Sequence, residues 1–152
     1  TFAHYYEEKW FPYTMPVSDI MGLRQALEDV KADREHLKRH ERIAKATRKA
    51  LTEAGLSLYL KEGYASSVTV FYVPEGMTDP VILQKMVKEH HIMIAGCFDI
   101  LAGKVIRIGH MGNNANIEDM TRTLSALGEV LKDLGADVKA DMAAVFKNEV
   151  DG

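Results

Sequence analysis

Ser67-Val68-Thr69-Val70-Phe71-Tyr72-Val73 and, thirty residues later, Lys104-Val105-Ile106-Arg107-Ile108 are the stretches on which the fold turns. Both are short and rich in β-branched and aromatic residues, and glycines punctuate them at Gly63, Gly103 and Gly109, which is the signature of strands rather than helices. Two further runs, Leu56 to Leu60 and Ile92 to Ala95, read the same way. Between the two pairs stands Asp79-Pro80, a helix cap with proline at the first helical position, then Ile82, Leu83, Met86 and Val87 as the apolar stripe of a helix ending near His90. Asn116 caps another helix, in which Met120, Leu124, Leu127, Leu131 and Leu134 recur at helical spacing before Gly135. A last helix is expected over about 137–150, through Val138, Met142, Val145 and Phe146.

Working back towards the start, residues 34–54 read as a charged helix with Leu37, Ala44, Thr47 and Leu51 inward and Gly55 as its stop. Before it, Ser18 caps a helix carrying Ile20, Leu23, Leu27 and Val30. Residues 1–17 hold Tyr5, Tyr6, Trp10, Phe11 and Tyr13 around Pro12 and Pro16, and read as an extended lead-in. Helices followed by a β-β-α-β-β-α order predict an α/β chain of the α+β kind, a mainly antiparallel sheet covered by helices.

The 152 residues suit one domain, with 47% hydrophobic and 27% charged residues and a net charge of -3. Lysines and arginines alternate with acids, so no phosphate-tracking surface for nucleic acid is formed. A single cysteine, Cys97, excludes an internal disulfide and fits a reducing, cytoplasmic setting. No apolar run is long enough for a membrane span, and the N-terminus has no signal-peptide pattern. The chain opens on Thr1 rather than methionine, which a processed protein and a piece of a longer one would both produce.

Arg107 is the most informative charge, since Val105, Ile106 and Ile108 surround it with strand. Its planar fork needs a carboxylate, either a domestic Asp or Glu or that of a ligand. Other chemistry is thinner. His36 and His40 are spaced i, i+4 as zinc ligands can be, but lack a third ligand, and no metal is expected. His90-His91 suit a helix C-terminus, Cys97 a packing role, Gly109 to Asn114 lacks the phosphate-loop pattern, and Met86, Met111 and Met120 read as core filler.

Gly103-Lys104-Val105-Ile106-Arg107-Ile108-Gly109-His110-Met111-Gly112 is similar to a signature near the end of class V aminotransferases, the group of alanine–glyoxylate and serine–pyruvate aminotransferases. The resemblance also takes in Pro12 to Ser18, Gly22 to Leu27, Arg39-His40, Val70 to Gly76 and Ile92 to Gly96, in the family's order across about 10–134. It implies a fold type I pyridoxal-phosphate enzyme, with residues 1–33 closing the large domain and 34–152 forming the C-terminal small domain. The intact protein would be a homodimer moving an amino group between an α-amino acid and a 2-oxo acid. The resemblance assigns Arg107 to the substrate carboxylate and Thr14 to the cofactor phosphate of the neighbouring subunit. It places the Schiff-base lysine in an N-terminal large domain upstream of Thr1, so this chain holds no catalytic residue and would be inactive alone. Phe11 stands where many members carry a phosphate-binding tyrosine, with Tyr13 the nearest hydroxyl, and Cys97 replaces a second glycine after Gly96. The rival reading is a free-standing small-molecule-binding or dimerisation module, which the aromatic, proline-rich lead-in argues against.

Overall fold

The computed structural model describes residues 2–9 and 13–152; Trp10, Phe11 and Pro12, on which part of the lead-in reading rested, lie outside the described residues. The chain divides into two compact units, Thr1–His36 and Leu37–Gly152.

The first unit holds α1 (Phe2–Glu8) and α2 (Val17–Ala32). The expected extended lead-in is therefore corrected over its first part. Residues 2–8 contain neither proline nor glycine, and His4 and Glu8, one turn apart, pair at 3.3 Å. The helix stops before Lys9, whose φ of 57° lies in the left-handed region. Ser18 is not the cap of α2 either. Pro16 occupies that position with no side-chain hydrogen bond, and the helix starts at Val17. None of the residues of α2 is buried, and Ile20, Leu23, Leu27 and Val30 are all exposed.

The second unit is built from α3 (His36–Glu53, from its second residue on), β1 (Val68–Tyr72), α4 (Asp79–His90), β2 (Val105–Gly109), α5 (Ile117–Asp133) and α6 (Met142–Asp151). The strands pair antiparallel, with Val70 opposite Arg107 and Phe71 opposite Ile106. Of the four expected strands two survive as such, and the other two shrink to single bridges, Leu58 with Phe71 and Ala95 with Arg107. The sheet order is thus that of an antiparallel ribbon whose two outer segments each make one ladder step.

Alternation along the strands divides the sheet's two faces. Thr69, Phe71, Ile106 and Ile108 are buried, and three of these four join a core with Ile43, Ala50 and Leu51 of α3, Ile82 and Met86 of α4, Leu124, Leu127 and Leu131 of α5 and Phe146 of α6. Val68, Val70, Tyr72, Arg107 and Gly109 occupy the opposite face and are exposed or half-buried, while Val105, opposite Tyr72 on that face, is buried.

Several details differ from expectation for local reasons. Leu37, expected inward, is 72% exposed, because α3 meets the core only from Ile43 onward. Thr78, not Asp79, takes the cap position of α4, so Pro80 falls in the first turn, where its missing N–H has no helical partner to lose. Val87 is exposed although Ile82 and Met86 are buried. Met111 is 53% exposed and fills no core, unlike Met86 and Met120. The tail becomes helical only at Met142, where Asp141 accepts from the N–H groups of Ala143 and Ala144, while Val138 packs on the core ahead of the helix. Asn116 caps α5 by accepting from the Asp119 N–H, and Gly55 at φ 88° ends α3 with Leu56 N–H returning to Leu51 O, both as the sequence implied.

Glu149 of α6 ties back to α3, its two carboxylate oxygens each 2.7 Å from Lys45 and Lys49 Nζ. Hydrogen bonds from these two ammonium groups hold its carboxyl down at about 2, below its usual 4.5. A depressed carboxylate stabilises the fold fully above about pH 4.5 and loses that contribution as pH falls towards 2. Urea midpoints measured between pH 5 and pH 2.5 are expected to fall with acid in the native chain and to fall less steeply in Glu149→Gln; parallel curves would remove Glu149 from the acid response.

Candidate functional site

Arg107 sits at the middle of β2, and its backbone exchanges both hydrogen bonds with Ala95, at 3.1 and 2.6 Å. Its side chain is on the sheet face away from the core, half-buried. Nε donates to Gly96 O at 2.8 Å, and the guanidinium carbon lies 5.3 Å from the centre of the Phe98 ring. Among the described residues no carboxylate comes within ion-pair distance of Arg107. The domestic Asp or Glu partner left open by the sequence is therefore not found, and the Nη edge of the fork is available to a ligand.

The segment that holds Arg107 is itself tightly shaped. Gly96 lies against α4, where a Cβ would stand 2.8 Å from Asp79 Oδ2, so a side chain there would displace the first residue of the helix. Cys97 is half-buried between Gly96 and Phe98. Asp99 adopts φ 54°, a non-glycine residue in the left-handed region, and opens a short 3-10 turn to Leu101.

Beyond Arg107 the chain enters the loop 109–116, which α3 grips at two points. Arg39 Nε donates to Ala115 O at 3.1 Å, and the Gly112 N–H donates to His40 Nε2 at 2.9 Å. A backbone N–H can only donate, so that imidazole nitrogen carries its lone pair towards the loop. Arg39-His40 and His110-Met111-Gly112, separate in sequence, are thus parts of one clamp. With its Gly112 N–H committed to His40, the run Gly109 to Asn114 does not present that group to a phosphate.

His110, which follows β2 directly, is fully buried. Its N–H donates to Ser67 O, and its Nε2 meets Thr69 Oγ1 at 2.8 Å, tying the loop to β1. Nδ1 is buried with no hydrogen-bond partner, as is Nη1 of Arg48, whose guanidinium stacks 4.5 Å over the Tyr64 ring. Burial first, then the nearby charge of Arg48, push the His110 imidazole below its usual range and favour the neutral form. No sequence signal marks this burial, because His110 lies one residue past the strand whose alternation would have revealed it.

The remaining candidates are dispersed. Thr14 is exposed, in the non-helical stretch between Tyr13 and Pro16 of the first unit; Tyr13 is 73% exposed. His36 Nδ1 bonds to Asp33 O, and no group of three or more potential metal-ligating side chains occurs among the described residues. His90 ends α4 and His91 follows in the left-handed conformation that caps it. His90 also lines a groove of about 740 Å³ with Thr121, Arg122 and Lys147, which contains neither Arg107 nor the loop clamp. No helix among the described residues is long and apolar enough to cross a membrane.

No known family model matches the chain. An uncharacterized aminotransferase of Methanocaldococcus jannaschii is 39% identical over 150 residues, 96% of this chain and 39% of that protein. A protein described as the small subunit of a soluble hydrogenase from Synechococcus is 36% identical over 126 residues, covering 82% and 33%. L-aspartate–glyoxylate aminotransferase of Paracoccus denitrificans is 32% identical over 138 residues, covering 88% and 35%. Among solved structures, pyridoxamine–pyruvate aminotransferase of Mesorhizobium loti superposes with a TM-score of 0.86 at 26% identity over 93% of this chain and 38% of that one. The chain therefore spans little more than a third of the length of the proteins it matches.

Because burial lowers the His110 pKa in the folded state while the unfolded chain protonates it near its ordinary value of 6.5, stability should fall as pH drops below that point. His110→Gln, which cannot protonate, is expected to flatten this slope between pH 7 and pH 5. An unchanged slope in that variant would assign the dependence to another group.

Proposed function

We propose that this chain, similar to aminotransferases over most of its length, is the substrate-carboxylate-binding, C-terminal portion of a class V enzyme of the alanine– or serine–glyoxylate type. The whole protein would exchange an amino group between an α-amino acid and a 2-oxo acid. The observation that carries this reading is Arg107, an arginine fixed through Nε and without an acidic partner among the described residues. Both substrate classes bear a carboxylate beside the reacting carbon, so one forked cation serves each half of the exchange.

Pyridoxal phosphate, when bound, would supply the electron-accepting ring on which amino groups are traded. The residues present fit one end of that cofactor only. The exposed hydroxyl of Thr14 can donate to a phosphate oxygen, in keeping with a contact across a homodimer interface. The reacting end is not met here. Every lysine except Lys85 is exposed, and Lys85 is held at 2.7 Å by Glu89 with Asp133 behind it. These carboxylates push Lys85 above its usual range, as Glu149 does Lys49, whereas a lysine that bonds to an aldehyde must be unprotonated. The lysine would therefore come from an N-terminal large domain, of which residues 1–33 would be the closing piece. A cytoplasmic location agrees with the half-buried, unpaired Cys97.

Treatment of this chain with pyridoxal phosphate and borohydride, followed by peptide mapping, is expected to give scattered substoichiometric labelling and no turnover. Stoichiometric modification of one lysine, with activity, would overturn the assignment of the catalyst to another domain. In the whole enzyme, Arg107→Lys should lose about 2–4 kcal/mol of transition-state binding, a 30- to 1000-fold drop in kcat/KM, while cofactor absorbance is retained. A destabilised variant with unaltered kinetics would take Arg107 out of the active site.

A further inference from the structure

Arg107 is held by three contacts that all come from one four-residue segment: the Ala95 backbone pair, the Gly96 carbonyl on Nε, and the Phe98 ring, over which the guanidinium carbon lies 5.3 Å from the ring centre. We propose that Phe98 is a positioning residue for the carboxylate site, its ring setting the plane of the Arg107 fork. The proposal rests on the reading of Arg107 given above.

The geometry of a guanidinium makes the division of labour clear. With Nε bonded to Gly96, the group can still swing about that hydrogen bond, which sweeps the outer Nη edge through a range of directions. A ring against one face removes that motion without using any N–H. A carboxylate approaches in the plane, at the Nη edge, so ring and ligand occupy different sides of the same cation. The ring also displaces water from one face, and a lower local dielectric strengthens the ion pair formed at the edge.

Packing does not account for where Phe98 is. Its side chain is 77% exposed and belongs to no core cluster, so burial does not hold it over the cation. The turn that follows is tightly set, since Asp99 takes φ 54°, in the left-handed region that few side chains other than Asn and Asp adopt. Behind it, Gly96 is pressed against Asp79 so closely that no Cβ fits without displacing that carboxylate. This turn thus presents an exposed ring to Arg107, which has no acidic partner among the described residues.

The test uses this chain, labelled with nitrogen-15, with pyruvate as the probe and the Arg107 Nε–H signal as the readout. In the native chain that signal should respond to pyruvate, and Arg107→Gln should abolish saturable binding. Phe98→Leu, which keeps bulk and loses the aromatic face, should weaken pyruvate binding about two- to fivefold, the size of an exposed cation–π contact, with the Ala95 and Gly96 amide signals unmoved. Phe98→Trp should restore the native value. If Phe98→Leu binds pyruvate as the native chain does, the role of Phe98 is refuted and that of Arg107 stands. If the leucine variant shifts the Ala95 and Gly96 amides and tryptophan fails to rescue, Phe98 is a structural residue and the proposal fails. If native Arg107 does not respond to pyruvate at all, the carboxylate reading falls and this one with it.

Discussion

The pairing of Val68–Tyr72 with Val105–Gly109 is the constraint from which the second unit follows. Because side chains alternate, the register that puts Phe71 opposite Ile106 inside the core must put Val70 opposite Arg107 outside it. A slip of one residue would bury a guanidinium and expose three large apolar side chains, so the apolar packing of Phe71, Ile106 and Ile108 fixes the direction of the arginine as a by-product. The charge needs no partner of its own to stay on the open face.

What the sheet leaves loose, the loops secure with hydrogen bonds. Segment 95–98 steadies Arg107 from one side, and beyond the strand end Arg39, His40 and His110 hold the chain of 109–116 to α3 and β1. These contacts join residues far apart in sequence, and each uses a group that can act in only one way: a backbone N–H that must donate, a carbonyl that must accept. These bonds hold a loop with glycines at 109 and 112 next to the strand that carries Arg107.

The elements with strong periodicity were legible in the sequence. The stripe of α5 from Met120 to Leu131 and its Asn116 cap are there, and so is the Gly55 stop of α3, because burial of one face and satisfaction of helix ends leave marks at fixed spacings. The strand around Arg107 was legible too, since its β-branched neighbours Val105, Ile106 and Ile108 mark it. What escaped was non-periodic. The helix at residues 2–8 was hidden by aromatic residues and by prolines that act only further on, and the two outer strands shrank to one bridge each because their pairing is decided by loop geometry. Leu37 illustrates a different limit: its spacing is right for the core, but the core begins a turn and a half later. His110 and Phe98 take their roles from three-dimensional neighbours, about which the one-dimensional pattern is silent.

The link from α6 to α3 bears on the order in which this unit is assembled. Lys49 and Glu149 are 100 residues apart in sequence, against 76 for Arg39 and Ala115 and 72 for His40 and Gly112. Closing such loops costs chain entropy that near-neighbour contacts do not incur, and non-local contacts slow folding. During synthesis α3 emerges ahead of the rest of this unit with Ile43, Ala50 and Leu51 uncovered, and stays so until the strands and helices that follow it arrive to cover them. A newly made chain thus passes through a period in which the apolar side of its longest helix is bare, and the final helix, with Phe146 and Glu149, is what ends it.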